Sequence, residues 1–527
     1  MRFPRTMSGK GAPAGSLVRF AAFAVSVSLV LAACGGSDDK GGGPPSGRPP
    51  GQGGGQGGGQ GSTAPLQSQV IMQNGKVRVD LMALERASDK VVIARMRVVN
   101  QDAGAFSFGH TLSGLAQATP AQGVQRDPNA ISAITLFDPV NSRRHFPLTD
   151  PGGKCLCTRY LGTPQLGAGQ SLDLVAAFPA PPASVSKLGV LFPNAAPFLD
   201  VQAAARPGAT LAVEGGQQID PARTQTAPPR ILQVSAISEN ATGVEEDLGD
   251  DLRVRVSSDV LFALNKADLT PRAQGILKEV AGKIDRSPGN SVKVDGYTDS
   301  SGNDGINNPL SQRRAQAVQA ALQKLVTRQG VTYQAAGHGS ADPVAPNESE
   351  RGRSLNRRVT VSFARPRPAT PPPATSAPSG NGKTVLRIQG TPPAGYVGGW
   401  PRNARVEISP LRRLSDGYAT LSWTVVNDDS TALQADGVFK GLSLEEGYYE
   451  FGGNGVALEA GNVRYRVLRD AQGNGFSSSF AVMDSQTKQL AQGEALTLTA
   501  VFKIPTELPS VTVDIPGFGK AQNVPVR

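Results

Sequence analysis

Three stretches rich in glycine and proline interrupt the chain, and they constrain its fold more than any other feature. Gly and Pro together number 103 of 527 residues, and they concentrate at 34–66, 205–230 and 366–383. Such segments bury too little apolar surface to offset the entropy of ordering them. The sequence therefore predicts a tether at 34–66, two linkers, and three folded bodies, which span 67–204, 231–365 and 384–527.

The first 33 residues have the features of an export signal. Four basic residues and no acid precede an apolar run at 20–31, which is too short to cross a membrane as a helix. The run ends in Leu31-Ala32-Ala33-Cys34-Gly35. This sequence resembles the lipobox of bacterial lipoproteins, which implies removal of 1–33 and attachment of palmitate-type lipid to Cys34. The alternative is an ordinary secretory signal with an incidental cysteine.

Cys155 and Cys157 are the only other cysteines. In a flat strand, residues two apart are too distant for a disulfide, so a bond between them needs a local turn, which Pro151-Gly152-Gly153 could supply. A structural disulfide is favoured over a free or redox-active pair. Because no other cysteine or histidine cluster lies nearby, we expect no metal site.

The two outer bodies are related by an internal repeat. With a shift of 327 positions, residues 77–102 align with 404–429 and ten of the 26 pairs are identical. Apolar and polar residues alternate along both segments, which is the period of a strand with one buried face. We predict two related all-β, immunoglobulin-like β-sandwich domains. The repeat places Gly475 and Ser477 opposite the two cysteines, so the disulfide would be an accessory to the fold.

The middle body alternates between strands and helices. Residues 257–262 are predicted to form a strand, and Thr270-Pro271 marks the start of an amphipathic helix. A second strand around Val292 and Val294 leads into a loop, after which Ser311 is predicted to cap the next helix. These features predict an α/β body between the two all-β ones.

Four ordered segments of the middle body resemble the OmpA-like, peptidoglycan-associated domain family of bacterial envelope proteins. They are Asp259–Pro271, Gly296–Asp299, Asn307–Ala315 and Asn356–Val359. The resemblance covers most of 250–364 and implies a βαβαββ sandwich. It also implies noncovalent binding of the peptidoglycan stem peptide, with one aspartate and one arginine holding its diaminopimelate.

Carried over motif by motif, the resemblance makes Asp299 the acid and Arg314 the base. A zwitterionic head group needs an anion for its ammonium and a planar donor fork for its carboxylate, which arginine supplies. We expect Arg314 in the first turn of its helix, where an anionic ligand would also offset the helix dipole. The alternative is that the two side chains only pair with each other. The family pattern assigns further pocket positions to Thr298, Asn307 and Leu310, and a supporting position to Arg358.

Two departures from the family pattern leave the identity of the bound diamino acid open. Tyr297 stands where the family often has histidine, and Ile306 stands where an aromatic residue is common. Both would change the rim of the pocket without changing the charged pair.

Charge and histidine content narrow the class of function. Residues 251–365 carry 17 Lys and Arg against 11 Asp and Glu, an excess suited to meeting carboxylate-rich wall polymer. The three histidines, His110, His145 and His338, lie in separate contexts without a recognisable nucleophile. We therefore expect no enzyme, no cofactor and no nucleic-acid partner.

These observations predict a lipid-anchored cell-envelope protein that ties a membrane to peptidoglycan. The anchoring membrane is left open between the cytoplasmic membrane, on its outer face, and the outer membrane. Envelope proteins are expected partners of the flanking domains. The alternatives are an OmpA-type porin, a surface protein whose β domains carry the main role, and a wall-cleaving enzyme. Few aromatics and many prolines at 67–204 disfavour the porin.

Overall fold

A computed structural model describes most of the chain from residue 64 onward. The described residues are 64–71, 74–108, 111–113, 129–160, 165–212, 216–366, 383–392, 396, 398–435, 453–478 and 489–527. The predicted signal, Cys34, nearly all of the tether, His110 and residues 367–382 lie outside them. Residues 62–527 form one compact unit. The boundaries of the predicted domains as independently folding pieces stay a prediction.

The first module, described from residue 64 to 219, is built from strands. Its strands are β1 (Gln67–Ile71), β2 (Asn74–Arg86), β3 (Val91–Asn100), β4 (Phe106–Ser107), β5 (Thr135–Asp138), β6 (Arg143–His145), β7 (Gln165–Leu166), β8 (Ser171–Pro179), β9 (Lys187–Leu191), β10 (Phe198–Gln202), β11 (Ala204–Ala205), β12 (Leu211–Ala212) and β13 (Gln218–Ile219). One sheet has the order β1-β2-β3-β8, and the other begins β10-β9-β5-β6. Both sheets contribute to one apolar core.

The central body, residues 231–366, combines strands with helices. Its elements are β14 (Ile231–Glu239), β15 (Gly243–Asp247), β16 (Asp251–Ser257), α1 (Ser258–Leu261), α2 (Pro271–Asp285), β17 (Ser291–Gly296), α3 (Asp304–Leu325), β18 (Thr332–Gly337), α4 (Glu350–Asn356) and β19 (Arg358–Ala364). The sheet order is β14-β15-β16-β19-β17-β18, with β17 and β18 parallel. From β16 onward the longer elements follow the expected βαβαββ order, and α2 and α3 share a core with the sheet.

The second module, described from residue 383 to 527, repeats the architecture of the first. Its strands are β20 (Thr384–Arg387), β21 (Ala404–Ile408), β22 (Arg412–Arg413), β23 (Tyr418–Asn427), β24 (Leu433–Gln434), β25 (Ala457–Ala460), β26 (Val463–Arg466), β27 (Arg469–Asp470), β28 (Gln489–Leu490), β29 (Ala495–Lys503), β30 (Ser510–Ile515) and β31 (Gly519–Pro525). The pairings β20-β21-β23-β29 and β31-β30-β25-β26 match those of the first module. The immunoglobulin-like topology itself stays a prediction.

A buried asparagine marks the same turn in both modules. The Asn100 side chain donates to the carbonyls of Gly104 and Leu166, at 2.8 and 2.9 Å. At the equivalent place the Asn427 side chain donates to the carbonyls of Thr431 and Leu490, at 2.9 and 2.8 Å. Both asparagines are fully buried. Because a buried amide must find partners, this residue fixes the loop between the same two strands in each copy.

A disulfide joins Cys155 and Cys157, with 5.2 Å between the Cα atoms. The turn at Asp150–Lys154 precedes it, closed by a hydrogen bond from the Asp150 amide to the Lys154 carbonyl. Cys157 forms a bridge with Ala176, and Ser477 forms the equivalent bridge with Ala500 in the second module. The second module therefore makes the same backbone arrangement without a disulfide.

Two parts of the chain differ from the sequence-based expectation. The segment 205–230, expected to be a linker, contains β12 and β13 and buries Ala209 and Leu211 against the first module. The strand expected at 257–262 ends at Ser257, because the Ser257 side chain accepts the Asp259 amide and caps the one-turn helix α1. The strand therefore ends where a side chain caps the following helix, and the alternation of apolar and polar residues alone does not reveal that end.

Strand β14 connects all three bodies by backbone hydrogen bonds. It pairs with β6 of the first module, β15 of the central body, and β26 and β27 of the second module. A buried ion pair lies beside it, in which Arg144 Nη1 is 2.9 Å from Asp470 Oδ2. The two modules and the central body therefore share hydrogen-bonded and charged contacts. Among the described helices, none combines the length and apolar composition needed to cross a bilayer.

Removing one partner of the Arg144–Asp470 pair should strongly destabilise the fold. Its side chains are 9% and 0% exposed, so Arg144→Ala would leave a carboxylate buried without its partner. We expect a loss of about 3–5 kcal/mol in the free energy of unfolding. The matched control is Arg97→Ala, which removes a pair with Asp173 whose side chains are 45% and 68% exposed and should cost less than about 1 kcal/mol. Urea titration measures both, and equal losses would contradict the assignment.

Candidate functional site

Helix α3 begins earlier than the sequence suggested. The Asn303 side chain accepts the Ile306 amide and caps the helix at Asp304. Pro309 lies inside the helix, where its nitrogen cannot donate a hydrogen bond to the carbonyl four residues back. Ser311 is therefore not the cap; its hydroxyl accepts the Gly339 amide at 2.9 Å. The sequence-based prediction of a cap at Ser311 is therefore wrong, and the cap at Asn303 lies eight residues upstream.

Arg314 consequently lies in the third turn of α3, not in the first. The influence of the helix dipole is confined to the terminal turn, so the dipole argument made from the sequence does not apply. Arg314 is 5% exposed, its Nε donates to the Lys266 carbonyl at 3.0 Å, and its guanidinium lies 5.2 Å from the ring centre of Phe262. Among the described residues, no carboxylate forms an ion pair with it. Burial lowers the pKa of Arg314 below its ordinary value, partly offset by the charge of Asp259.

Asp299 follows strand β17 and is held by a different arginine. Its Oδ2 accepts Nη1 of Arg357 at 2.7 Å, and its Oδ1 accepts the Ser301 amide at 2.9 Å. Burial alone would raise the pKa of Asp299, but the hydrogen bonds from Arg357 and Ser301 outweigh it and lower the pKa. Asp299 and Arg314 do not pair with each other, so the alternative suggested from the sequence is wrong.

Arg357 is a site residue that the sequence reasoning missed. It also donates to Asp259 and Glu350, at 2.9 and 2.8 Å. Hydrogen bonding to Asp259 is the main cause that raises the pKa of Arg357, against the opposing effect of burial. Arg357 is the C-cap of α4 and directly precedes the start of β19 at Arg358. The two adjacent arginines of the Asn356–Val359 segment were the available signal.

One cavity of about 780 Å³ brings the predicted residues together. Thr298, Asp299, Asn307, Leu310 and Arg314 all line it, together with Arg357. Thr298 and Asn307 also shape the loop, since the Thr298 hydroxyl donates to the Asp299 carbonyl and the Asn307 amide donates to the Ser301 carbonyl. The cavity is therefore lined at one place by the buried guanidinium of Arg314, which has no carboxylate partner among the described residues. At another place it is lined by the carboxylate of Asp299, which Arg357 already engages.

Arg358 lies outside the cavity lining. Its guanidinium stacks 3.7 Å from the ring centre of Tyr297, and its Nη2 donates to the Asp342 carbonyl at 2.9 Å. Burial lowers the pKa of Arg358 to about 10. Tyr297 directly precedes Thr298, so Arg358 packs against the residue next to the pocket loop, and its supporting role stays a prediction.

Comparison with known proteins identifies the family. Residues 261–357 match the OmpA family. The chain is 43% identical over 110 residues to outer membrane porin F of Pseudomonas fluorescens, covering 21% of this chain and 33% of that protein. It is 37% identical over 123 residues to the peptidoglycan-binding protein ArfA of Mycobacterium tuberculosis, covering 23% and 37%. It is 33% identical over 142 residues to the outer-membrane lipoprotein YfiB of Pseudomonas aeruginosa, covering 26% and 82%.

The match spans about a third of the first two relatives and most of YfiB. The chain therefore belongs to the OmpA family, as the four motifs had indicated. The matched segment contains Asp299, Arg314 and Arg357. The two flanking modules lie largely outside it.

The pairing of Asp299 with Arg357 generates a test of the site's electrostatics. Arg357→Gln removes the cation that lowers the pKa of Asp299, so we expect that pKa to move upward. Arg353→Gln is the matched control, because Arg353 pairs with Glu350 and not with Asp299. Carboxyl carbon NMR titration measures the shift, with the Asp299 signal assigned by Asp299→Asn. An unchanged pKa in Arg357→Gln would contradict the assignment.

Proposed function

We propose that the protein binds peptidoglycan noncovalently through this cavity and ties it to a membrane through lipid on Cys34. The observation that carries the proposal is Arg314, a residue that is 5% exposed, lines the open cavity and has no carboxylate partner in the described chain. A buried unpaired charge is costly unless a ligand pairs with it. Two of the relatives, the peptidoglycan-binding protein ArfA and the outer-membrane lipoprotein YfiB, support the wall and the cell envelope as its setting.

The charges around the cavity suit a zwitterion such as the free end of diaminopimelate. Arg314 presents a planar fork that can take a carboxylate through two hydrogen bonds. The single positive charge of Arg357 is shared among three carboxylates, those of Asp259, Asp299 and Glu350. The end of the cavity near Arg357 therefore keeps a negative charge. A ligand ammonium next to Asp299 would use that remaining charge while Arg357 keeps its other partners. The site thus offers one place for each charge of the ligand.

Two further features fit binding without turnover. The cavity lining contains no histidine or cysteine, and the Thr298 hydroxyl is engaged with a backbone carbonyl. Residues 251–365, which contain the cavity, carry 17 basic against 11 acidic residues, a field that would attract an anionic polymer. We therefore propose a structural tie, with no catalytic residue and no cofactor.

Sedimentation with purified sacculi tests the wall-binding site. We expect Asp299→Ala and Arg314→Ala, each made in the full chain, to weaken retention by about 2–4 kcal/mol, because each leaves a buried ligand charge unpaired. That loss is roughly 30- to 900-fold in affinity. Free meso-diaminopimelate should release the unaltered protein.

The matched control is Arg272→Ala. It removes one positive charge from the exposed start of α2, outside the cavity lining, so retention should be unchanged. Equal weakening by Arg272→Ala would show that retention depends on net charge. The proposal would be overturned if the Asp299→Ala variant and the Arg314→Ala variant were both fully retained by sacculi.

The lipid anchor has an independent test. Cys34→Ser should abolish incorporation of labelled palmitate and move the protein from the membrane fraction to the soluble fraction, because two acyl chains supply the lasting membrane affinity. Retention of the purified Cys34→Ser protein by sacculi should be unchanged. Palmitate incorporation that persists in Cys34→Ser would contradict lipidation at this residue.

A further inference from the structure

Arg357 occupies the place at Asp299 that the proposed function gives to the ligand ammonium. Its Nη1 donates to Asp299 Oδ2 at 2.7 Å, and the other carboxylate oxygen, Oδ1, accepts the Ser301 amide at 2.9 Å. Only 10% of the Asp299 side chain is exposed. An ammonium that forms a close ion pair with Asp299 therefore needs the oxygen that Arg357 already holds.

Arg357 has two other carboxylate partners, which it can keep when it releases Asp299. Its Nε donates to Asp259 Oδ1 at 3.0 Å, and its Nη2 donates to Asp259 Oδ2 at 2.9 Å and to Glu350 Oε1 at 2.8 Å. Two parallel hydrogen bonds from one guanidinium to one carboxylate are a strong form of ion pair. Breaking the hydrogen bond to Asp299 leaves all of these contacts in place.

The three carboxylates around Arg357 differ in their exposure to water. The side chains of Asp259 and Glu350 are 46% and 67% exposed, against 10% for Asp299. Hydrogen bonding to Asp259 raises the pKa of Arg357 more than hydrogen bonding to either of the other two. The strongest partner of Arg357 is therefore one that it would keep, and the partner that it would release is the buried one.

The backbone of Arg357 is held on both sides. Its amide donates to the Arg353 carbonyl at the end of α4, and its carbonyl accepts the Ser258 amide at the start of α1, both at 2.9 Å. Neither contact involves the guanidinium. The hydrogen bond to Asp299 can therefore break by rotation of the Arg357 side chain alone, without a change in α4 or α1.

We propose that Arg357 is an internal counterion that regulates this cavity: it pairs with Asp299 in the empty site and yields Asp299 to the ligand ammonium. The inference rests on the proposed function, because it takes the ligand ammonium from there. The pairing spares the empty site a buried, unpaired carboxylate. It also lowers the apparent affinity by the fraction of molecules in which Asp299 is free. Binding is thereby more readily reversed than the charges of the ligand alone would make it.

Calorimetric titration of the full chain, made as Cys34→Ser to avoid lipid, tests the exchange. One ligand is a muropeptide whose diaminopimelate has a free amino group, and the other is the same muropeptide acetylated on that nitrogen. Arg357→Gln removes the cation that competes for Asp299. We expect its affinity for the free-amine muropeptide to rise on the order of tenfold, because the bond removed is a hydrogen bond to a charged group. Its affinity for the acetylated muropeptide should not rise, because that ligand brings no ammonium to Asp299.

The matched control is Arg272→Gln. It removes one positive charge from the exposed start of α2, outside the cavity lining, so its affinity should equal that of the unaltered protein. The gain in Arg357→Gln should persist at about 0.5 M salt, because salt screens a largely buried contact much less than it screens exposed charges. A gain that disappears in salt would overturn the proposal, since it would be a general effect of charge.

Glu350→Gln should act in the opposite direction. It removes one of the partners that Arg357 keeps, so Arg357 should hold Asp299 in a larger fraction of molecules. We expect the affinity for the free-amine muropeptide to fall about two- to threefold, as is typical of an exposed ion pair. Glu350 is 67% exposed, so this variant should fold as the unaltered protein does.

A folded Arg357→Gln protein that binds the free-amine muropeptide no more tightly than the unaltered protein would overturn the proposal. If Arg357→Gln loses cooperative thermal unfolding, Glu350→Gln decides, and an unchanged or higher affinity in that variant would overturn it. Binding by Arg357→Gln where the unaltered protein shows none would support the exchange. Absence of binding by both proteins would contradict the proposed function itself, and this inference with it.

Discussion

The site depends on one electrostatic constraint: a guanidinium is buried beside a cavity, and no carboxylate among the described residues balances it. Arg314 sits between Phe262 and the Lys266 carbonyl, which satisfy part of its hydrogen bonding and none of its charge. The nearby acid, Asp299, is already engaged by Arg357. Because the internal pairs leave Arg314 unbalanced, we propose that an anionic ligand group completes the site and that the carboxylates around Arg357 receive a cationic one.

The rest of the molecule holds this site at a fixed place. Strand β14 forms hydrogen bonds with elements of both modules and with β15, so the central body is joined to its neighbours by backbone contacts as well as by the preceding chain. Ion pairs such as Glu246 with Arg469 and Asp247 with Lys503 add to that contact. The cavity therefore belongs to a compact unit that includes parts of both modules.

The sequence predicted the residue types of the site better than their arrangement. Local motifs located Asp299, Arg314 and the surrounding loop, because those motifs are contiguous. They did not show that Arg357 pairs with Asp299, since that contact joins residues 58 positions apart. The helix start was misplaced because Pro309 is tolerated inside α3. The composition of 205–230 did not reveal that Ala209 and Leu211 are buried, because the residues that they pack against come from distant strands. Tyr297 and His338, each unusual alone, stack on one another with 4.8 Å between ring centres.

Calorimetric titration with purified muropeptides tests the central claim most directly. Two ligands are compared that differ only in the free carboxylate of diaminopimelate, which is intact in one and amidated in the other. The account predicts clear binding of the first and a large loss of affinity for the second, with the difference abolished in Arg314→Ala. Equal affinity of the unaltered protein for both ligands would contradict it, because Arg314 would then have no role in recognising the carboxylate.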